Sequence, residues 1–413
     1  MRYISLIFSV ILTITFESKA LSLDEVINLA KEQTTDVKLS KEDIKQVEAK
    51  IRQVKGELFP HLGLSASFNR YDPNYITNFS LKNKYNAAVF VKQPIFDKSI
   101  FESLKIAKQN LALKKAILEK VQQEVVYTAL EIYEDTLEKK EIFQLQKDSL
   151  EYWEKNLILA EEKYKTGFIS RYDYTRTKAQ CETAKANLIA AKTEFKNSIY
   201  QLVYFLKLNQ IPNINEPLVL LNLGLPKQEK IKNSPQLKVL QLQRKISLAE
   251  GNFYTADLYP KLNARFSYEL YNTKDFPSLA EVVRKGYVIT LNLNWNIYDG
   301  GKSLAKKVES KINAAKYYIQ YKDKLYYLKT EYKKQVETLK FLKKQLTALN
   351  LNLQAAEEAM KLATERYKNG LASVIEVLEA RKNYDEIKKN QLNVIKNYNL
   401  GLFYLKKLTG ELK

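Results

Sequence analysis

Residues 302–369 read KSLAKKVESKINAAKYYIQYKDKLYYLKTEYKKQVETLKFLKKQLTALNLNLQAAEEAMKLATERYKN, a stretch with neither glycine nor proline that is closed by Gly370. As one helix it would be roughly 100 Å long, about three times the thickness of a membrane's hydrocarbon core. Residues 97–166 form a second stretch without glycine or proline, closed by Gly167. The sequence therefore predicts two very long helices in one chain.

These two helices belong to an internal repeat, which decides the architecture before any local pattern does. Residues 164–170 (YKTGFIS) and 367–373 (YKNGLAS) are similar and lie 203 residues apart. Further pairs at nearly the same offset are 58–62 (LFPHL) with 258–262 (LYPKL), and 95–97 (IFD) with 297–299 (IYD). The chain is thus predicted to contain one unit twice, and tandem long helices favour a single elongated body.

The composition is strongly basic. Among 413 residues, 67 Lys and Arg stand against 47 Asp and Glu, a formal net charge of +20. Such a balance is compatible with nucleic acid or anionic lipid as a partner. The lysines are, however, mixed with glutamates along every predicted helix. This favours ordinary solvated helix faces and argues against a nucleic-acid partner.

The N-terminus has the pattern of a secretory signal. Arg2 precedes an apolar run over residues 4–16, and Ser18 and Ala20 are the small residues before a cleavage site. An uncut anchor is the alternative, but the apolar run is too short to span a membrane comfortably. The residue directly after Ala20 is Leu21 and not cysteine, so a lipoprotein anchor there is excluded, and no later apolar run reaches transmembrane length. We expect an exported chain without a transmembrane helix.

The remaining segments follow in the same order in both copies. The first repeat has a helix over about 22–57, alternating strands near 62–68 and 84–92, the long helix, and a returning helix over 171–208. In the second, a helix over 234–258, strands near 261–270 and 287–297, the long helix and a C-terminal helix from Ser373 are expected. Two short helices stacked end to end would match one long helix in length. The predicted domains are a signal peptide (1–20), a first repeat (21–208), a proline-containing connector (209–232) and a second repeat (233–413).

The strands alternate in polarity. Leu262, Phe266 and Leu270 fall on one face, whereas Lys261 and Arg265 fall on the other. A strand of ~9–11 residues with one apolar face suits a membrane barrel, although a half-buried sheet of a soluble protein alternates equally. The signal peptide, and the lack of other sequence able to cover the apolar face, favour the membrane. Four strands cannot close a barrel with a lumen, and open edges are not tolerated in lipid. Several chains must therefore share one barrel.

These motifs carry a family resemblance. Residues 21–26 (LSLDEV), 58–62, 94–97 (PIFD) and 295–301 (WNIYDGG), with both Tyr-x-x-Gly turns, resemble the TolC-type outer-membrane efflux and secretion channel family. The resemblance covers essentially the whole mature chain. It implies a mainly α fold with a membrane β-barrel, in which long coiled-coil helical hairpins and four amphipathic strands form two tandem repeats. It also implies a homotrimer that completes a twelve-stranded barrel, a helical tunnel into the periplasm, and an equatorial domain from the connector and the C-terminal segment.

The resemblance also implies partners. The tunnel would join an inner-membrane transporter of RND or ABC type through a periplasmic adaptor protein, with outer-membrane lipid around the barrel and no nucleic acid. The cargo stays open among drug efflux, metal export and type I protein secretion, because the partner pump decides it.

Candidate site residues follow by position. The adaptor-docking turns are marked by three residues in each repeat, namely Tyr164, Gly167, Ser170, Tyr367, Gly370 and Ser373. Glu376 and Glu379 match the paired carboxylates that ring the family's periplasmic aperture, although on a helix such a pair is more often a solvated face. Asp173 is the further aperture candidate and, with Tyr367, matches latch positions. Ala372 stands where the family's well-studied member has an arginine, and Arg171 or Arg176 could substitute.

Catalysis is not expected. The sequence shows no nucleophile with a base, no metal-ligand cluster and no Gly-rich phosphate loop, so no catalytic, cofactor or metal site is predicted. Cys181 is the lone cysteine and His61 the lone histidine, which excludes an intrachain disulfide and a histidine cluster. The alternatives to a channel are a secreted structural or adhesive coiled-coil protein and a soluble basic protein that binds nucleic acid or anionic surfaces.

Overall fold

The computed structural model describes residues 21–77, 79–275 and 277–412. The predicted signal peptide lies outside these residues. The helices are α1 (Leu23–Gln33), α2 (Thr35–Gly56), α3 (Lys98–Lys165), α4 (Arg171–Leu206), α5 (Pro235–Tyr254), α6 (Lys302–Lys368) and α7 (Val374–Thr409). The strands are β1 (His61–Arg70), β2 (Asn83–Phe96), β3 (Lys261–Asp275) and β4 (Ala280–Asn294). In the ranges described, none of the helices is both long and apolar enough to cross a membrane.

Both predicted long helices are confirmed as α3 and α6, of 68 and 67 residues. Each begins behind an aspartate that caps it. The Asp97 carboxylate accepts the amide hydrogen of Ser99 at 2.9 Å, and the Asp299 carboxylate accepts that of Ser303 at 2.8 Å. Such caps satisfy amide groups that have no partner within the helix. The repeated IFD and IYD motifs therefore mark helix starts.

The first predicted helix is interrupted, which corrects the expectation of one helix over 22–57. Thr34 separates α1 from α2 with an extended backbone (φ −62°, ψ 145°). Its hydroxyl donates to the carbonyl of Ala30 at 2.8 Å, a local bond of the kind that competes with regular helix geometry. The helix expected to reach Leu258 likewise ends earlier, because residues 255–258 tighten into a 3₁₀ turn.

The chain divides into two compact units. One holds residues 39–120 and 235–327, including all four strands; the other holds Val121–Ser234, the segment up to Lys38 and the segment from Leu328 onward. The predicted repeat and connector boundaries stay a prediction.

The sheet has the order β1-β2-β3-β4 and is antiparallel throughout. Val91 pairs with Phe266, and Phe266 with Ile289, so the apolar residues of successive strands share one face. The strands have 10, 14, 15 and 15 residues. The last two extend beyond the predicted strands, because β3 and β4 pair as far as Asp275 and Ala280. The outer edges of β1 and β4 are unpaired in this sheet.

The apolar face of the sheet is uncovered. Leu64 is 76% exposed, Phe266 46% and Leu291 69%. Exposed apolar surface on this scale marks a surface that contacts lipid or another chain.

The other unit is centred on a core of α3, α4 and α7 residues with α1 and the connector. Leu130, Tyr133 and Leu202 are fully buried there, and Ile214 and Leu218 of the connector are also buried. The core contains Glu134, whose carboxylate accepts a hydrogen bond from the Asn399 amide at 3.0 Å. Burial raises the pKa of Glu134 to about 7, against the opposing effect of that bond.

Candidate functional site

The predicted turns form two tips, named here the first tip (residues 164–170) and the second tip (residues 367–373). In the first tip the amide of Gly167 donates to the carbonyl of Tyr164 at 3.0 Å, and that of Phe168 donates to Lys163 at 2.8 Å. In the second tip the amide of Gly370 donates to Tyr367 at 3.1 Å, and that of Leu371 donates to Arg366 at 2.8 Å. This is the Schellman ending of a helix, and it is the same in both repeats.

The glycines are required by this backbone. Gly167 has φ +77° and Gly370 has φ +74°, in the left-handed region that residues with a side chain rarely adopt. A Cβ placed on either glycine would have no described atom within 4 Å, so the constraint is backbone conformation and not space. The positive φ is therefore the physical reason for glycine at both turns.

Serines and acids begin the next helix of each tip. Ser170 caps α4: its hydroxyl donates to the Asp173 carboxylate at 2.7 Å and accepts the Asp173 amide at 3.1 Å. Ser373 caps α7 by a capping box with Glu376, whose amide and carboxylate both lie 3.4 Å from their Ser373 partners. Asp173 and Glu376 thus occupy equivalent positions and stabilise a helix N-terminus.

The side chains of the two tips differ. Phe168 and Leu371 are exposed at 83% and 69%. Tyr164 is 40% exposed and stacks on Tyr174 with ring centroids 5.2 Å apart, whereas Tyr367 is only 3% exposed.

Tyr367 lies in an apolar cluster built from four helices, with Trp153 of α3, Cys181 of α4, and Val374 and Val377 of α7. Lys163, the residue before the first tip, donates to the Tyr367 carbonyl, and its ammonium lies 4.8 Å from the Tyr367 ring centroid. Burial raises the pKa of the Tyr367 hydroxyl, and the nearby Asp173 adds to that shift. Tyr367 therefore joins the second tip to α3 and α4, the two helices that the first tip connects.

The latch candidates have other partners. Asp173 bonds to Ser170, and Arg176 donates to the Tyr172 hydroxyl at 3.0 Å. In the part of the chain that is described, no hydrogen bond joins Asp173 to Tyr367, and none of the ion pairs joins Arg176 to Asp173.

The aperture candidates lie beside the second tip. Glu376 forms an ion pair with Arg366 at 3.4 Å in addition to its capping role. Glu379 lines a groove of about 450 Å³, whose lining also includes Trp153, Arg176 and Lys382. The structure thus brings Glu379 next to basic side chains.

The lining of this groove contains a buried ion pair that no sequence pattern indicates. The Arg381 guanidinium lies 3.0 Å from the Asp385 carboxylate, with side chains only 7% and 17% exposed. Ser149 donates to Asp385 at 3.2 Å. Burial raises the pKa of the Asp385 carboxyl, while Arg381 opposes the shift. An Arg and an Asp four residues apart resemble any surface pair, so the sequence carried no signal for their burial.

Comparison with known proteins identifies the family. The model of the outer membrane efflux protein family matches residues 26–206 and 227–411, and each matched segment contains one tip. The chain belongs to the outer membrane efflux protein family. The predicted TolC-type resemblance is thereby confirmed, and with it the outer-membrane location.

Individual relatives of this efflux-family chain are distant. It is similar to the outer membrane protein TolC of Salmonella enteritidis, 20% identical over 96% of this chain and 83% of that protein. Its similarity to TolC of Escherichia coli strain K12, 22% identical, spans 45% of this chain and only 38% of that protein.

Its fold is similar to the Campylobacter jejuni CmeC outer membrane channel, with a TM-score of 0.78 at 18% identity over 94% of this chain and 86% of that one. The predicted fold class is confirmed, and this chain contributes helical hairpins and a four-stranded antiparallel sheet.

Proposed function

We propose that three copies of this chain close one barrel in the outer membrane and continue as a periplasmic tunnel. The tunnel exports cargo received from an inner-membrane transporter of RND or ABC type through a periplasmic adaptor. The observation that carries the proposal is the open sheet, whose apolar face is exposed and whose two edges are unpaired. Lipid would cover that face, and pairing of β1 with β4 of another copy would remove the edges.

The first experiment tests topology. Cysteines are placed at Ser80, in the loop between β1 and β2, and at Asn369, in the second tip, in a Cys181→Ser background. A membrane-impermeant thiol reagent should label the cysteine at position 80 in intact cells and the cysteine at position 369 only after the outer membrane is opened. Labelling at 369 but not at 80 in intact cells would overturn the proposal.

Adaptor docking is proposed at both tips, that is at Tyr164, Gly167, Ser170, Tyr367, Gly370 and Ser373. The exposed apolar residues Phe168 and Leu371 support it, since apolar side chains at a helix turn suit a protein partner. Replacing Gly370 by Val should abolish export while trimers still form, because a β-branched residue is disfavoured at this φ. Normal export by a Gly370→Val variant would exclude docking at the second tip.

The aperture is proposed at Glu376 and Glu379, with Asp173 nearby. Three copies would bring six of these glutamates around the axis, a ring that attracts cations. Multivalent cations should reduce the conductance of purified trimers in planar bilayers, and more weakly at high salt. The Glu376→Ala/Glu379→Ala variant should lose this block. An unchanged block would show that other acids bind the cations, and Asp173 would be the next candidate.

A further inference from the structure

The polar face of the sheet carries a row of basic residues. His61 of β1 pairs with Lys92 of β2, and Lys92 pairs with Arg265 of β3. Paired residues of an antiparallel sheet point to the same face, so these three side chains, named here the basic row, lie at one level. The row is on the face opposite Phe266 and Leu291.

Arg265 is held on this face by an aromatic ring. Its guanidinium carbon lies 4.4 Å from the centroid of Phe90, which belongs to the adjacent row. Phe90 pairs with Gly63, and a Cβ on Gly63 would come within 2.5 Å of the Phe90 ring. The missing side chain at Gly63 therefore lets the ring lie across β1, where it offers a cation–π contact to Arg265.

The positive charge of the row is not neutralised. Neither Lys92 nor Arg265 forms an ion pair in the described part of the chain. Two neighbouring acids pair outside the row, Asp257 with Lys261 at 2.8 Å and Asp275 with Arg284, and Glu269 accepts a hydrogen bond from Ser267 at 2.8 Å. Within the row, His61 has Glu57 at 3.8 Å. Lys92 and Arg265 thus place two permanent positive charges at one level of the polar face.

We propose that the basic row makes the barrel selective for anions, so that the solutes passing it most readily are negatively charged. The proposal rests on the three-chain barrel proposed above, in which the polar face lines the lumen and the row becomes a ring of six Lys and Arg side chains. Rings of Lys and Arg select anions in pores, because low-dielectric walls focus their field on the passing ion.

The test is the reversal potential of purified trimers in planar bilayers across a potassium chloride gradient, in a Glu376→Ala/Glu379→Ala background that removes the proposed acidic aperture. This background protein should pass chloride in preference to potassium, and adding Lys92→Gln/Arg265→Gln to it should give a several-fold lower chloride-to-potassium permeability ratio. Lys285→Gln is the control for loss of a positive charge on the opposite face, where Lys285 pairs with Leu270; it removes one charge per chain, against two in the double variant. Its ratio should stay unchanged.

A second measurement avoids any effect on assembly. In a Lys92→Cys/Cys181→Ser protein, a negatively charged thiol reagent applied to inserted pores should lower the ratio, and a positively charged reagent should restore it. A potassium-selective Glu376→Ala/Glu379→Ala protein, or reagents and variants that leave the ratio unchanged, would overturn the anion proposal while pores persist. Failure of the wild-type protein to form trimeric pores would instead overturn the proposed function.

Discussion

The first and second tips have the same backbone and different surroundings. Gly167 and Gly370 share a φ near +75°, and the same two hydrogen bonds close each turn. Yet Tyr164 is exposed, whereas its repeat partner Tyr367 is buried among four helices. A repeated motif thus determines a repeated local structure, but it does not determine what packs against it.

The helices that leave the tips show the same contrast. Arg381 and Asp385 of α7 are buried together, whereas Lys178 and Glu182, 203 residues earlier, are exposed on α4. Glu182 pairs with Lys185 at 2.9 Å in solvent. Equivalent charged positions therefore have a structural role in the second repeat and a solvated one in the first.

The largest expected difference comes from these charged pairs. Arg381→Met should lower the free energy of unfolding by ~3–5 kcal/mol, because it leaves a buried carboxylate without its partner. Lys178→Met, the matched change in the first repeat, should alter it by less than ~0.5 kcal/mol. Denaturant titration of the detergent-solubilised protein measures both. Equal effects would contradict the comparison.

The same pair predicts a pH dependence. Burial already raises the pKa of Asp385, so this carboxyl favours the folded state at low pH and disfavours it as pH rises through its folded pKa. Without Arg381 that pKa rises further, and the Arg381→Met variant should regain stability on acidification. The Arg381→Met/Asp385→Leu variant should be stable at neutral pH and lack this recovery.

The second-largest difference in stability is expected between variants of the two tyrosines. Tyr367→Ala should cost ~3 kcal/mol, since it leaves a cavity in the cluster around Trp153. Tyr164→Ala should cost about 1 kcal/mol, the loss of an exposed stacking contact. Tyr367→Phe is the control and should be nearly neutral, because the hydroxyl faces Thr177 without a well-formed hydrogen bond. A Tyr164→Ala effect as large as that of Tyr367→Ala would show that the first tip is buried too.

The glycines should behave alike, which tests the shared part of the comparison. Gly167→Val and Gly370→Val should each cost about 1–2 kcal/mol, because both place a side chain at positive φ with open space around it. Thermal unfolding of the two variants side by side measures this. Unequal costs would mean that the two turns differ in backbone constraint.

A small difference in stability is expected between variants of the basic residues that precede the two turns. Lys163 of α3 donates to the carbonyl of Tyr367 in the second repeat. Arg366 of α6 pairs with Glu376 of α7 within its own repeat. Lys163→Met should cost ~1 kcal/mol, since a charged hydrogen bond is lost, and Arg366→Met at most ~0.5 kcal/mol, as for exposed ion pairs. If the Arg366 variant is the less stable, the link between the tips does not depend on Lys163.

Much of the fold could be predicted because its helices and strands follow from patterns among neighbouring residues. Glycine-free and proline-free stretches gave α3 and α6, and the alternation over 261–270 gave β3. The break at Thr34 was missed, because a threonine within an amphipathic pattern is compatible with helix until its hydroxyl bonds to Ala30. Phe90 likewise fits no alternation in sequence, since its place on the polar face depends on Gly63 of the paired strand.

The sequence by itself determined the two tips, the long helices and the two-faced strands, because helix period, strand period and left-handed glycine are properties of neighbouring residues. Only the tertiary structure decided which tyrosine is buried, which Arg–Asp pair lies in the groove, and that Lys92 and Arg265 share one row. Burial and strand register depend on residues far apart in the chain. Two nearly identical motifs can therefore have different environments.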